Sequence, residues 1–309
     1  MGLLGAVLRL KSGASSPILM RNRPRVSAIL HRLIQDGHRK LQVMIDFDYT
    51  ISRYSRGGVP CDSSYQVVEA SPLMPNGFRK QTLSLRQRYL PLFENQSIPE
   101  DIRQELMQTW LRQSHDLMRQ YHVSRKDIPL MVKLSSAALR SDVPEFLTLA
   151  QEKKVPVIVF SAGLATVARE ILRANGCLLD NLTIVGNDLL VDSYGLVTGV
   201  RRPIVDGINK SRLLASSHAD YFKRDDHEER CNVVVLGDST GDAHVTDTMR
   251  NTKAVLKVGF FVQNAVDSPS LLDQYQDEFD IVILDRESFS VVKELLRLIL
   301  SLAQPRKTN

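Results

Sequence analysis

Leu41-Gln42-Val43-Met44-Ile45-Asp46-Phe47-Asp48-Tyr49-Thr50 decides the fold. Its apolar first half reads as a strand covered on both faces, as in parallel sheets. Its second half ends that strand in two carboxylates, Asp46 and Asp48. Residues i and i+2 share one side of an extended chain, so both acids converge at the strand tip. One can attack an electrophile while the other handles protons. Asp46, nearest the strand end, takes the reactive role. Taken alone, the pattern is equally an ordinary acidic turn after a strand.

Working outward, four more apolar runs have the same character: VPVIVF (155–160), NVVVLG (232–237), AVLKVGF (254–260) and DIVILD (280–285). Helical patterns at 143–154, 165–175, 242–250 and 288–302 lie between or after them. This is the βαβ rhythm of a doubly wound α/β fold with a parallel sheet. The segments LTIVGN and GLVTGV, near Leu182 and Gly195, suggest a flanking hairpin. One interval breaks the rhythm. About a hundred mostly helical residues separate the first two core strands, where a crossover needs only a dozen or more. Helices are expected at 78–89, 99–121 and 128–141. The excess reads as an inserted helical cap domain over the carboxyl ends of the strands. The expected division is a basic tail and helix at 1–40, a core at 41–54 and 142–309, and the cap at 55–141.

Three further motifs fall at strand tips or in the loops behind them. Ser161 follows the run 155–160, and its hydroxyl with the N–H groups of Ala162 and Gly163 can cradle a phosphate at a helix start. The plainer reading of Ser161 is a helix N-cap. Lys210, in Gly207-Ile208-Asn209-Lys210-Ser211, can neutralise phosphate charge, or be a solvated surface lysine. Gly237-Asp238-Ser239-Thr240-Gly241-Asp242 follows the run 232–237. Its acidic oxygens suit a hard cation such as Mg²⁺, or form a Gly/Asp turn into a capped helix. Each motif has a bland reading. Their occurrence in order, all at one edge of one sheet, favours a phosphate-handling centre.

Composition narrows the classes. The formal net charge is +5, but residues 1–40 carry eight Lys or Arg against one acid, Asp36, so the rest sums to −2. A near-neutral body argues against a nucleic-acid-binding face along the whole chain. No apolar run reaches the roughly 18 residues of a membrane span. Three scattered cysteines, Cys61, Cys177 and Cys231, form no CxxC pair, which fits a reducing, cytoplasmic setting. The basic, serine-containing start can be read as a mitochondrial presequence. The simpler reading is a disordered tail leading into a surface helix at 26–36.

At this point the motifs resemble the haloacid dehalogenase (HAD) superfamily, and within it the pyrimidine 5′-nucleotidase family. That family includes cytosolic type III and 7-methylguanosine-phosphate-specific nucleotidases. LQVMIDFDYTISRYS resembles its first motif, which usually has Met where Tyr49 stands. VPVIVFSAG resembles the second, and NKS at Lys210 and LGDSTGD at Asp238 resemble the third and fourth. WLRQSH (110–115) resembles a cap segment, and the run from Tyr275 also looks familial.

The resemblance implies an HAD-like fold and a Mg²⁺-dependent 5′-nucleotidase acting on pyrimidine or 7-methylguanosine 5′-monophosphates. It implies that Asp46 is the nucleophile and forms an aspartyl-phosphate, and that Asp48 is the proton donor and then the base. Mg²⁺ would be held by Asp46, the Asp48 backbone carbonyl and Asp238, with Asp242 in support. Ser161, Ala162 and Lys210 would bind the phosphate, and Tyr54, Tyr65, Glu94, Trp110 and Ser114 would meet the base. The family's base-contacting glutamate falls near 92–94. Ungapped pairing puts Phe93 there, and a shift of one residue selects Glu94. Thr109 and Leu111 depart from the glutamate and aromatic residue usual on either side of the tryptophan, which leaves base preference open. Ser63-Ser64-Tyr65 leans toward the 7-methylguanosine branch. The enzyme is expected to be a monomer whose partner is a nucleoside 5′-monophosphate, with no nucleic acid or membrane involved. The alternatives are an HAD phosphatase for another small phosphoester, such as a phosphoserine or a sugar phosphate, or a nucleotide-binding protein without activity.

Overall fold

The five apolar runs lie side by side in a single sheet in the computed structural model of the protein, which describes residues 18–95, 97–217, 230–249, 251–284 and 287–301. In chain order the elements begin with β1 (Ile18–Leu19), α1 (Arg23–Asp36) and β2 (Leu41–Ile45). The insertion follows: β3 (Ser55–Arg56), β4 (Val59–Pro60), α2 (Ser64–Glu69), α3 (Asn76–Glu94), α4 (Glu100–Gln120) and α5 (Ile128–Leu134). Then come α6 (Val143–Glu152), β5 (Val157–Leu164), α7 (Ala165–Ala174), β6 (Leu182–Asn187), β7 (Leu189–Val191), β8 (Val197–Val200) and α8 (Lys210–Ser217). The chain closes with β9 (Asn232–Gly237), β10 (Ala254–Phe260), α9 (Pro269–Glu278), β11 (Ile281–Ile283) and α10 (Ser290–Ser301).

The seven-stranded sheet runs β1-β11-β10-β9-β2-β5-β6. Only β1 is antiparallel to its neighbour; the other pairings are parallel. From β2 the chain builds outward through β5 and β6, then crosses back to β9 on the opposite side of β2. That reversal opens a crevice at the carboxyl ends of β2, β5 and β9, where α/β sheets bind ligands. Every residue of β2 and β9 is buried, which explains their continuous apolar sequence. Successive side chains feed two cores. Leu41, Val43 and Ile45 join Val26, Leu30, Leu33, Leu295 and Ile299 on one face. Met44 joins Ile158, Phe160, Val233 and Val235 on the other.

Four expectations change. The N-terminal helix starts earlier, with Pro24 in its first turn and the Asn22 side chain accepting from the Arg25 N–H at 3.0 Å. It is no surface appendage, because Val26, Leu30 and Leu33 are fully buried. Truncating one such leucine to alanine costs about 2–5 kcal/mol. The tail at 1–17 lies outside the described residues. The segment 182–187 is not half of a hairpin but the sheet strand β6; β7 and β8 form the hairpin. The helix expected at 242–250 is a single 3₁₀ turn over Thr240–His244. Thr246, Asp247 and Thr248, poor helix formers, follow it, and residue 250 lies outside the described residues. The helix expected at 128–141 ends at Leu134. Residues 285 and 302, at the ends of two expected elements, are also outside the described residues.

The insertion leaves and returns through paired segments. The Arg53 N–H donates to Ala138 O at 2.8 Å and the Arg140 N–H to Ile51 O at 3.0 Å. Arg140 is buried, donates to Tyr49 O at 2.8 Å and lies 4.2 Å from the Phe260 ring centroid. It thus ties the returning segment to the turn after β2.

Candidate active site

Asp46 is extended (φ −73°, ψ 160°) at the tip of β2, and its N–H donates to Leu236 O on β9 at 3.0 Å. The chain then makes one wide turn, closed by the Ser52 N–H on Phe47 O at 2.9 Å. Tyr49 in this turn is left-handed (φ 65°). The turn aims the two carboxylates apart. Asp46 points toward Lys210, whose ammonium donates to Asp46 Oδ1 and, at 2.6 Å, to Asp242 Oδ1. Asp48 faces Ser64, the first residue of α2: Oδ1 accepts from the Ser64 N–H at 2.7 Å and Oδ2 from its hydroxyl at 2.5 Å. The same Ser64 Oγ accepts from the Leu164 N–H at 2.9 Å, which joins the insertion to β5.

Two glycines make this crowding possible. A Cβ on Gly163 would lie 2.2 Å from Ser64 Oγ and 2.3 Å from Asp48 Oδ2. A Cβ on Gly237 would lie 2.2 Å from Asp242 Cβ. Ser161 is buried and its Oγ accepts from the Gly163 N–H at 3.0 Å. The expected helix-start cradle differs in detail. Residues 161–163 lie on an irregular stretch of β5, the register against β6 shifting between Phe160 and Leu164. Leu164, not Ser161, precedes α7, so the plain N-cap reading of Ser161 fails as well.

Lys210 is only 3% exposed. The loop before it is held by Asp206, whose Oδ1 accepts from the N–H groups of Ile208 (2.8 Å) and Asn209 (2.7 Å). Asn187, at the end of β6 and fully buried, donates to both Ala162 O (2.8 Å) and Val205 O (2.9 Å). It therefore fixes the Ser161 stretch against the Lys210 loop.

Asp46, Asp238 and Asp242 bring carboxylate oxygens within 4.8 Å of one another. Burial, opposed by Lys210 and reinforced by the Asp242 and Asp48 charges, pushes Asp46 up to about 7. Burial together with Asp46 and Asp242 pushes Asp238 well above the carboxylate range. Burial works against the Lys210 ammonium, but Asp242 and Asp46 outweigh it and hold its proton more tightly. Three acids against one ammonium leave excess negative charge in a largely buried pocket. An all-oxygen donor set with that excess fits a hard divalent cation such as Mg²⁺. Asp48 stands outside this carboxylate cluster. Burial raises its pKa and the two Ser64 hydrogen bonds pull it partly back, a net shift in the direction wanted of a proton donor.

These groups line one end of a cavity of about 280 Å³ that runs under the insertion. From the insertion come Tyr65, Glu69, Arg86, Phe93, Trp110 and Ser114, of which Tyr65 also neighbours Asp48 and Asn187. Trp110 stacks on Tyr89, with centroids 6.4 Å apart and planes 13° from parallel. Tyr65 OH lies 2.8 Å from His115 Nε2. Phe93 reaches Gly207 in the Lys210 loop, and Gln108 Nε2 donates to Asp206 Oδ2 at 2.5 Å.

The structure thus gathers Asp46, Asp48, Ser161, Ala162, Lys210, Asp238 and Asp242 around one space, which Tyr65, Trp110 and Ser114 also line from the insertion. Two expected base residues are placed differently. Tyr54 does not line the cavity; its ring packs edge-on against Tyr49 at 5.3 Å. Glu94 stands exposed at the rim, because the preceding Phe93 takes the inward-facing position on α3. The buried carboxylate belongs instead to Glu69, the last residue of α2, whose Oε1 accepts from Ser114 Oγ. Sequence reasoning missed Glu69, Asn187 and Arg86. Tyr275 donates to Asp238 O, a contact that the familial run beginning there could have flagged.

A family model described as pyrimidine 5′-nucleotidase (UMPH-1) matches residues 49–300. A human 7-methylguanosine phosphate-specific 5′-nucleotidase is 30% identical over 285 residues, which is 92% of each chain. The Xenopus laevis 7-methylguanosine phosphate-specific 5′-nucleotidase A is 29% identical over 292 residues, covering 94% of this chain and 99% of its own. Among solved structures, cytosolic 5′-nucleotidase IIIB bound to cytidine superposes with a TM-score of 0.85 at 26% identity, covering 97% of this chain and 98% of its own. An HAD-family hydrolase from Salmonella enterica, at 11% identity and TM-score 0.55 over 85% of this chain and 73% of its own, shares the fold.

Proposed function

Because the chain belongs to the pyrimidine 5′-nucleotidase family, we propose that it hydrolyses nucleoside 5′-monophosphates to nucleoside and phosphate. The observation that carries this reading is the single cavity with Asp46, Lys210 and Ser161 at one end and the Trp110 face at the other. The first end suits a phosphoryl group and the second a planar base.

In the proposed course, an Asp46 carboxylate oxygen attacks phosphorus and the bond to the nucleoside O5′ breaks. The departing oxygen takes the proton held on Asp48. Asp48, now ionised, accepts a proton from water as the water oxygen attacks the aspartyl-phosphate, which frees phosphate and restores Asp46. Lys210, Ser161 and the Ala162 N–H orient the phosphoryl oxygens, and fixed donors aimed at developing charge are the main catalytic lever in such transfers. Asp46, the Asp48 backbone carbonyl and Asp238 would hold Mg²⁺, with Asp242 behind them, and the ion would supply charge neutralisation at the phosphoryl group. The buried, unpaired Cys61, Cys177 and Cys231 support a reducing, cytoplasmic setting, and no described helix is long and apolar enough to cross a membrane.

The test is a kcat/KM comparison with Mg²⁺ present, using 7-methylguanosine monophosphate, CMP, UMP and GMP beside phosphoserine and ribose 5-phosphate. A preference for one or more nucleotides is expected. Equal turnover of the base-free esters would defeat the assignment.

A further inference from the structure

Glu69 and Glu94 both reach the cavity from the insertion, but only Glu69 is buried, at 7% exposure. Ser114 Oγ donates to its Oε1, while Oε2 makes no hydrogen bond among the described residues. Trp110 and Ser114 are four residues apart on α4 and therefore share a face. An aromatic platform thus lies one helical turn from a buried carboxylate with an acceptor to spare. Because Ser114 has spent its proton on Glu69, this pair of side chains offers a ligand mainly lone pairs, with the Arg86 guanidinium on the same lining.

Bases differ sharply against such a wall. Guanine presents two adjacent donors, N1–H and the N2 amino group. Cytosine presents one amino group beside an acceptor. Uracil flanks its single N–H with two carbonyl oxygens, which a carboxylate repels. Methylation at N7 adds a positive charge that both the carboxylate and an indole face attract. We propose that Glu69 reads the base edge and, with Trp110, selects 7-methylguanine over uracil. This rests on the nucleotidase reading above. Burial raises the Glu69 pKa, and Ser114 and Arg86 pull it back, so a cationic base entering the pocket would further favour the ionised form.

The experiment measures kcat/KM for 7-methylguanosine monophosphate, CMP and UMP, with ribose 5-phosphate alongside, in the wild type, Glu69→Gln and Ser114→Ala. The wild type should prefer 7-methylguanosine monophosphate to UMP. Glu69→Gln should cut that ratio at least tenfold, because an amide supplies a donor where uracil needs one. Ser114→Ala should shift it several-fold in the same direction. An unchanged ratio in an active Glu69→Gln enzyme, or a loss shared equally by all four esters, would leave Glu69 a structural acid and overturn the proposal alone. A wild type that cleaves ribose 5-phosphate but no nucleotide would overturn the nucleotidase reading and this proposal with it.

Discussion

The two ends of the cavity are built differently. At the phosphate end, side chains leave strand tips or the loops just behind them: Asp46 after β2, Ser161 on β5, Asp238 after β9 and Lys210 behind the Asn187-anchored loop. Each is cross-braced by backbone or glycine contacts that leave little room for movement. At the base end the wall comes from α2, α3 and α4, which share the apolar core through residues such as Val67, Val68, Phe78 and Met118 and make polar links to it such as Gln108 to Asp206. Rigid placement suits a reaction in which misplacement by about 1 Å can cost a hundredfold. A helical wall can change its lining without disturbing that chemistry. Substitutions at the first end should therefore lower kcat, and those at the second should raise KM or alter substrate choice.

The largest effect is expected for Asp46→Asn. Phosphate release should fall by roughly four orders of magnitude or more, as for other lost nucleophiles. The melting temperature should hold or rise slightly, since the change removes one charge from a cluster with excess negative charge. Retained turnover would erase the distinction between the ends. Gly163→Ala comes next. Its methyl group would press on Ser64 Oγ and Asp48 Oδ2, so kcat should drop about a hundredfold with a smaller change in KM. Gly199→Ala, where nothing lies within 4 Å of the added carbon, is the matched control and should behave as wild type. Trp110→Ala sharpens the other side of the contrast. Losing one stacking face, worth about 1–3 kcal/mol, should raise KM roughly tenfold or more while kcat changes little. A kcat loss without a KM change would place Trp110 in the catalytic geometry instead.

The same contrast explains what could be read from sequence. The strand-tip residues were legible because a parallel sheet imposes one address: an apolar run, then a polar side chain at its carboxyl end. Asp46, Ser161 and Asp238 share that signature, and buried strands such as β2 and β9 match their apolar runs almost residue for residue. Lys210 was legible only through its family-like neighbours. The helical wall has no such address. Whether Phe93 or Glu94 points inward depends on the roll of α3, and one residue moves a side chain by about 100°. Glu69 was invisible because nothing local says that the end of α2 faces Ser114, 45 residues away. Tyr54 failed for a related reason, since its neighbour Tyr49, in a left-handed turn, offers it a packing partner outside the cavity. Asn187 was misread along with its strand, because LTIVGN alternates like a hairpin arm although it pairs parallel with β5.

The smallest expected effect concerns pH and the wall behind Tyr65. His115 is only 6% exposed and shares a 2.8 Å hydrogen bond with Tyr65. Burial, with the Arg202 charge adding to it and Asp116 opposing, lowers its pKa to about 4. In the unfolded chain it titrates near 6.5. Between those values the unfolded state binds a proton that the folded state refuses, so this group costs stability as pH falls through the window and costs nothing above it. Buried acids with raised pKa values, Glu69 and Asp48 among them, pull the opposite way, so the wild-type curve alone is uninformative. The difference between wild type and His115→Gln isolates the histidine. On moving from pH 7 to pH 5, wild type should lose roughly 1–2 kcal/mol more than the variant, a few degrees in melting temperature. Parallel curves would mean that His115 can protonate in place. The helical wall would then yield locally at low cost, unlike the braced strand tips of the phosphate end.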